Sequence, residues 1–386
     1  MSERYVYLDY AATTPVDARV LDAMTPFHSE EFANPNSLHT PGRSAFSAME
    51  RARTALAETL GAGEPSEIVF TGCGTEADNA AIRGIAGSSE KRHVIVSAYE
   101  HHAVLDPAQS LRKVGFEVTL LPVGTDGTVH PEVLAEHVRK DTAFVSIMHV
   151  NNELGTVNPI ADLAAVAHEA GALFHTDASQ SLGKTAVDLG ASGVDAATLS
   201  AHKVYGPKGV GALYLRKGTP FSPILLGGGQ ESRRRSGTQN VAGIVGFATA
   251  ARIAVDQLPD ESERLESLRD RLISGVRETV SGVTFNCVDS PHVPGIVSML
   301  IDGVEGESVL LHLDAEGFAV STGSACSSAS LEPSHVLAAI GVPKERAHGS
   351  LRVSMGRFTT EEDIEGFLAA LPGVVERLRA MSPVGR

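Results

Sequence analysis

The chain has 386 residues, 42% hydrophobic and 20% charged, which is the make-up of a globular protein with room for two or three domains around substantial cores. Its formal net charge of -15 disfavours nonspecific binding to nucleic acid or anionic membrane surfaces, which carry the same sign, with Arg233-Arg234-Arg235 as a local basic exception. No apolar run approaches the roughly 20 residues of a membrane helix, and the start, Met1-Ser2-Glu3-Arg4-Tyr5, has no signal pattern, so a cytoplasmic protein with no membrane and no direct nucleic-acid partner is expected.

From about Ile68 to Leu215 short β-branched runs alternate with helical stretches. Ile68-Val69-Phe70, His93 to Val96, Val118 to Leu121, Ala143 to Ile147 and Leu173 to Thr176 read as buried strands. Pro159 to Ala170 between two of them carries apolar residues at helical spacing. This alternation predicts an α/β layer with a mostly parallel sheet. After about residue 258 the texture changes to a charged helix (Asp260 to Val280), two short strands, a helix, a loop around Cys326, and a closing strand and helix. The division expected is a large part over 15–258 and a smaller α+β part built from 1–14 and 259–386, the latter carrying the Cys326 loop.

In open α/β sheets ligands bind where strands deliver their C-terminal ends. Polar motifs occupy those positions here. Thr71-Gly72-Cys73-Gly74-Thr75 follows the first run and precedes a helix beginning near Glu76. Free N–H groups at such a helix start hold a phosphate, or the turn is a plain helix start with a threonine cap. Glu100-His101-His102 follows the second run; His101 reads as a ring-stacking proton carrier or as a half-exposed polar residue, with His102 pointing elsewhere. Asn152 reads as a ligand for a cofactor ring or for a substrate oxygen, or as a turn residue.

Asp177 is either the carboxylate that keeps a pyridine nitrogen protonated or a helix cap, and Gln180 either bonds a ring hydroxyl or faces solvent. Ser200, His202 and Lys203 follow Ala196 to Leu199. Lys203 is an exposed cation or an amine that condenses with an aldehyde, and Ser200 and His202 supply donors to the same phosphate. The Gly206-Pro207-Lys208-Gly209 turn is no phosphate loop, because Pro207 removes a donor and the spacing is wrong.

Three cysteines, Cys73, Cys287 and Cys326, are far apart and odd in number, without metal-ligand spacing, so no metal site and free thiols are expected. Cys287 beside Val283-Thr284-Phe285 reads as inert, and Cys73 in the phosphate turn is ambiguous. Cys326 lies among Thr322-Gly323-Ser324-Ala325 and Ser327-Ser328, a setting for an accessible thiol that swings. Arg352 in Ser350 to Ser354 either grips a carboxylate with two bonds or is a surface strand arginine.

Taken together these segments resemble the cysteine desulfurases, the NifS/IscS-like group of pyridoxal phosphate (PLP) enzymes of aminotransferase fold type I. The resemblance runs from Tyr7-Leu8-Asp9-Tyr10-Ala11-Ala12-Thr13-Thr14-Pro15, through Asn34 to His39, to Ser350-Leu351-Arg352. It implies that Lys203 forms the Schiff base with PLP, Asp177 binds the pyridine nitrogen, Gln180 bonds the ring oxygen and His101 stacks on the ring. Gly74, Thr75, Ser200 and His202 would hold the phosphate, and Asn152 and Arg352 the carboxylate of L-cysteine. Thr238 matches a residue given to the phosphate of the partner subunit's cofactor, which implies a homodimer. Cys326 would take the sulfur as a persulfide and pass it to a scaffold or carrier protein. The stretch after Cys326 resembles the long-loop subgroup that serves iron–sulfur cluster assembly; tRNA thiolation or other thio-cofactors are further destinations. Two departures stand out: Cys73 where serine or glycine is usual, and Tyr99 where threonine is. A selenocysteine lyase or another related PLP enzyme shares this fold, whereas plain transamination needs no nucleophilic thiol.

Overall fold

The computed structural model describes residues 5–323 and 333–381. Its strands, in chain order, are β1 (Val6–Tyr7), β2 (Ile68–Thr71), β3 (His93–Ser97), β4 (Glu117–Leu121), β5 (Thr142–Ser146), β6 (Leu173–Asp177), β7 (Ala196–Ser200), β8 (Gly211–Leu215), β9 (Val283–Phe285), β10 (Ile296–Ile301), β11 (Phe318–Ala319) and β12 (Ser350–Ser354). Seven of them form one sheet in the order β2-β8-β7-β6-β5-β3-β4. The run from β7 to β4 is parallel, and β8 lies antiparallel to both its neighbours. This is the expected mostly parallel α/β sheet; the reversed β8 was not anticipated from the pattern.

Period-two alternation feeds two cores. Ile68 and Phe70, Ile95, Val145, Phe174 and Leu199 point into one, beneath the helices Thr40–Thr59, Ile160–Glu169 and Val241–Asp256. Val69, Val94 and Val96, Phe144 and Leu213 point into the other, against Ala77, Ala81, Ile82 and Ile85 of the helix Gly74–Ser88. With both faces covered, the strands are largely apolar, and the polar residues that reach the cavity stand at their ends.

The C-terminal part builds a separate antiparallel sheet, β12-β10-β9, under the helices Leu258–Thr279 and Glu361–Met381. Its core comprises Leu272, Val276, Met299, Val353, Phe367 and Leu371. The N-terminal segment joins it: β1 pairs parallel with β11, and Leu8 accepts from the Ser354 N–H at 2.8 Å. Beyond Leu8 the chain crosses to the large sheet, where the Thr14 N–H donates to the His202 carbonyl at 3.0 Å. Among the described residues no single helix is long and apolar enough to cross a membrane.

Candidate active site

A cavity of about 310 Å³ opens at the C-terminal ends of the parallel strands, within the size range of small-molecule sites. At one end of it starts the helix Gly74–Ser88, capped by Cys73, whose Sγ accepts from the Glu76 N–H at 3.4 Å. The helix thus begins two residues earlier than the sequence suggested, and the thiol, not Thr75, caps it. Any side chain at position 74 would press on Ser200, whose Cβ lies 3.2 Å from where a Cβ would sit. Gly211, opening β8, is the stricter requirement, because a Cβ there would fall 2.7 Å from the Cys73 carbonyl carbon, which is backbone. The two glycines let the helix start, β7 and β8 converge.

Ser200 Oγ is buried, lines this end of the cavity and has no hydrogen-bond partner. An unpartnered buried hydroxyl beside a helix N-terminus, with Thr75 alongside, suits a phosphate. His202 is there too, its Nδ1 3.0 Å from Thr13 Oγ1. Burial first, then the charges of Lys203, Lys208 and Lys184, depress its pKa to about 4, so the ring is neutral at pH 7. The basic run expected at 233–235 is not a free patch: Arg235 pairs with Glu76 at 2.6 Å, and Arg234 donates to the Ser66 carbonyl at 2.6 Å.

Along the floor lie Asp177 at the end of β6, Gln180 just beyond it, and Lys203 at the end of the short 3-10 turn Ala201–Lys203. Lys203 Nζ donates to the carbonyls of Ala11 and Ala12 at 2.6 and 2.8 Å. Two residues on, Tyr205 has φ of +64°, a left-handed backbone that a bulky residue adopts only under constraint. The constraint is visible: the Tyr205 N–H donates to Thr14 Oγ1 at 2.7 Å and Arg357 lies over its ring at 4.1 Å. Gln180 is buried; its Nε2 donates to the Ala11 carbonyl at 2.7 Å and its Oε1 accepts from Lys184 Nζ. Asp177 Oδ1 also accepts the Ser179 N–H at 2.9 Å, so this carboxylate orders its own turn while lining the cavity.

His101 caps the helix His102–Ser110, with Nδ1 accepting from the Ala103 N–H at 3.0 Å. That bond puts the proton of the neutral ring on Nε2. Burial lowers its pKa and Asp177 partly offsets the effect. His102, expected to point elsewhere, lines the same cavity, with its ring 4.9 Å from that of His335. Beneath them burial pushes Glu100 up to about 8; its Oε1 accepts from Ser97 Oγ and from the Met148 N–H, the latter at 2.8 Å.

The opposite wall comes from the small sheet. Arg352 on β12 is 3% exposed, which excludes the surface-arginine reading. Its Nη2 donates to Asp9 Oδ1 at 2.7 Å and its Nη1 to the Asn152 carbonyl at 2.9 Å, so Asn152 and Arg352 meet at the cavity. Thr238 is exposed and is not among the residues lining the cavity of its own chain. Cys326 lies outside the described residues. Cys287 is partly exposed, with burial raising its thiol to about 11, and faces the Thr125 carbonyl at 3.7 Å, away from the cavity. Sequence reasoning passed over Glu153 and His335, which line the cavity, and Lys184, one contact beyond it and four residues after Gln180 on the same short turn; for Lys184 that spacing was the only signal.

Residues 6–367 match the aminotransferase class-V family. The chain belongs to that family. It is 51% identical over 383 residues to the cysteine desulfurase IscS of Dictyoglomus turgidum, covering 99% of this chain and 97% of the relative. A solved NifS-like protein superposes with a TM-score of 0.90 at 40% identity, covering 97% of this chain and all of the other. A structure of SspA in complex with cysteine superposes with a TM-score of 0.81 at 38% identity, covering 92% of this chain and all of that one. The chain is therefore a PLP-dependent enzyme of the cysteine desulfurase group and has the type I fold of PLP enzymes. The cavity fits that cofactor: a helix start with an unpartnered serine at one end, a carboxylate and a lysine on the floor.

Proposed function

We propose that this enzyme releases L-alanine from L-cysteine and carries the sulfur as a persulfide on Cys326. The observation that carries the reading is the meeting, in one cavity, of Lys203, Asp177, His101, Asn152 and Arg352 beside the Gly74 helix start. The cysteine named with the structural relative SspA supports the substrate. PLP, when bound, draws electrons from the substrate and makes its Cα proton and its Cβ–S bond labile.

The protein does the rest. The helix N-terminus, Thr75, Ser200 and neutral His202 hold the phosphate. Asp177 keeps the ring nitrogen protonated, and Gln180 bonds the ring oxygen. Arg352 and Asn152 receive the substrate carboxylate, a planar fork meeting a planar anion. Lys203, lining the floor of the cavity, would hold the cofactor through its amine and would carry the substrate Cα proton. His101, with its proton on Nε2, would lie against the cofactor and carry protons between substrate and solvent. The Cys326 thiolate attacks the substrate Sγ. A sulfur–sulfur bond forms and the Cβ–Sγ bond breaks. Its electron pair stays on carbon, which takes up a proton, so no outside oxidant is required.

Residues 15–258 act as the cofactor-binding part, and 1–14 with 259–386 as the part that carries Cys326. Exposed Thr238, outside its own cavity, supports a homodimer in which it reaches the partner subunit's phosphate site. The sulfur passes to a scaffold or carrier protein, with iron–sulfur cluster assembly as the destination. A thiol that must return to its reduced state supports a cytoplasmic location.

The test is alanine released from L-cysteine under reductant, wild type against Cys326→Ala at matched PLP occupancy. Alanine from the wild type only, with both proteins holding cofactor, is the expected outcome. Equal alanine from both removes Cys326 from the reaction.

A further inference from the structure

Lys184 has no part in the chemistry above, yet it sits one contact away from it. It follows Gln180 by four residues on the turn beyond β6, and its Nζ donates to Gln180 Oε1. Gln180 Nε2 in turn donates to the Ala11 carbonyl at 2.7 Å, the same oxygen that accepts Lys203 Nζ at 2.6 Å. Lys184 and Lys203 also line a second, smaller cavity of about 30 Å³ with Glu261 and Tyr205.

The arrangement settles a question that a glutamine leaves open. The two ends of a primary amide are alike in shape, and only their partners decide which is oxygen. A lysine that donates requires oxygen on its side. A backbone carbonyl only accepts, so it requires nitrogen on the other. Both partners of Gln180 impose the same orientation. The second N–H of Nε2 is used by neither contact, and Gln180 lines the main cavity.

We propose that Lys184 is a positioning residue that locks the Gln180 amide so that it presents a hydrogen-bond donor, never an acceptor, to the oxygen on the PLP ring. This rests on the reading that Gln180 faces that oxygen. A donor there stabilises the deprotonated oxygen; an acceptor repels it. The charged groups acting on Lys184 are Lys203, Arg352 and Glu261. Burial first, then Lys203 and Arg352, lower the amine while Glu261 opposes them, which leaves it at about 7. Charged or neutral, the amine retains N–H donors, so the lock holds on both sides of neutrality.

The experiment is a pH titration of the visible absorbance of the holoenzyme. It compares wild type, Lys184→Met, Lys184→Arg, Gln180→Ala and the double variant Lys184→Met/Gln180→Ala. Losing a donor to the deprotonated oxygen raises the midpoint, so Lys184→Met is expected to move it up by about one pH unit. Lys184→Arg, which still donates, restores it to within a few tenths. In the Gln180→Ala background the Lys184 substitution adds nothing, because its route is gone. An unchanged midpoint in Lys184→Met overturns the inference, as does a shift that persists without Gln180, which would mean direct action by charge. Gln180→Ala with an unmoved midpoint overturns the Gln180 contact and this inference with it, while leaving the desulfurase reading standing. If Lys184→Met does not fold, Lys184→Arg and Lys184→Gln, both donors, decide: a midpoint raised by a full unit in either contradicts the lock.

Discussion

The floor of the cavity and its far wall are built in different ways. Floor residues Asp177, Ser200 and Lys203 stand on or just past adjacent parallel strands, β6 and β7, whose backbones are hydrogen-bonded and buried on both faces. The wall belongs to another sheet with another core. It meets the large part through side chains, Arg352 to the Asn152 carbonyl at 2.9 Å and Ser334 Oγ to Glu153 Oε2 at 2.6 Å, and through loop backbone, where the Val157 N–H donates to the Pro291 carbonyl and the Val293 N–H to the Gly155 carbonyl, both at 2.8 Å. A floor set by one sheet holds the chemistry rigidly. The wall is joined to that floor by separate side-chain and loop contacts, not by a shared strand ladder, and it contributes Arg352 to the cavity.

The sharpest way to break this contrast is to remove the floor amine. Lys203→Ala is expected to cut alanine release by a factor on the order of 10³ or more, since the group acts on the reacting atoms. Its melting temperature should stay near that of the wild-type apoenzyme, because the strand ladder does not depend on the amine. Steady-state kinetics with added PLP and a thermal melt check both halves; a large loss of melting temperature would mean that the floor depends on this side chain.

Arg352→Gln probes the wall. Losing a charge-assisted pair with the substrate carboxylate costs about 2–3 kcal/mol, a fall of roughly 30- to 150-fold in kcat/KM, with KM carrying most of it. Asp9 loses its partner as well, so Arg352→Lys should recover only part of the activity, lacking the planar fork. A fall in kcat at unchanged KM would place Arg352 with the floor.

The smallest effect is a slope. His175 lies in the sheet behind Asp177, fully buried, with Nδ1 2.8 Å from Ser146 Oγ and Nε2 3.2 Å from Thr198 Oγ1. Burial lowers its pKa to about 3, against 6.5 for the ordinary group. Between those values the unfolded chain binds the proton and the folded one does not, so this contribution to stability is present above about 6.5 and is lost as pH falls toward 3. His175→Gln should flatten the dependence of unfolding free energy on pH in that window by up to about 1.4 kcal/mol per pH unit. Denaturant titrations at a series of pH values measure it. Equal slopes would mean that the imidazole takes its proton inside the fold.

The same contrast explains what was readable. The five β-branched runs and the Ala196 run announce the strands because burial on both faces favours apolar residues along most of their length, and the polar motifs that follow them mark the strand ends. Nothing in Gly211–Leu215 announces direction, since a short apolar run reads alike parallel or antiparallel, and β8 turned out reversed. Cys73 carried no cap signal, because sulfur is a poor and uncommon acceptor. The local pattern left Arg352 open between a surface residue and a carboxylate ligand, because alternation along a strand does not say which face is covered. Lys184 looked like any charge on a turn.

The sequence by itself determined the layer architecture, the strand-end site and the residue types that suit PLP, because burial and periodicity are local and repetitive. Only the tertiary structure decided that Asp9, Asn152 and Arg352 share one contact and that Lys184 reaches Gln180. It also decided that two glycines bring a helix start against Ser200. These are meetings of segments up to hundreds of residues apart, fixed by how two sheets and an N-terminal crossing pack, and no local pattern encodes such a distance.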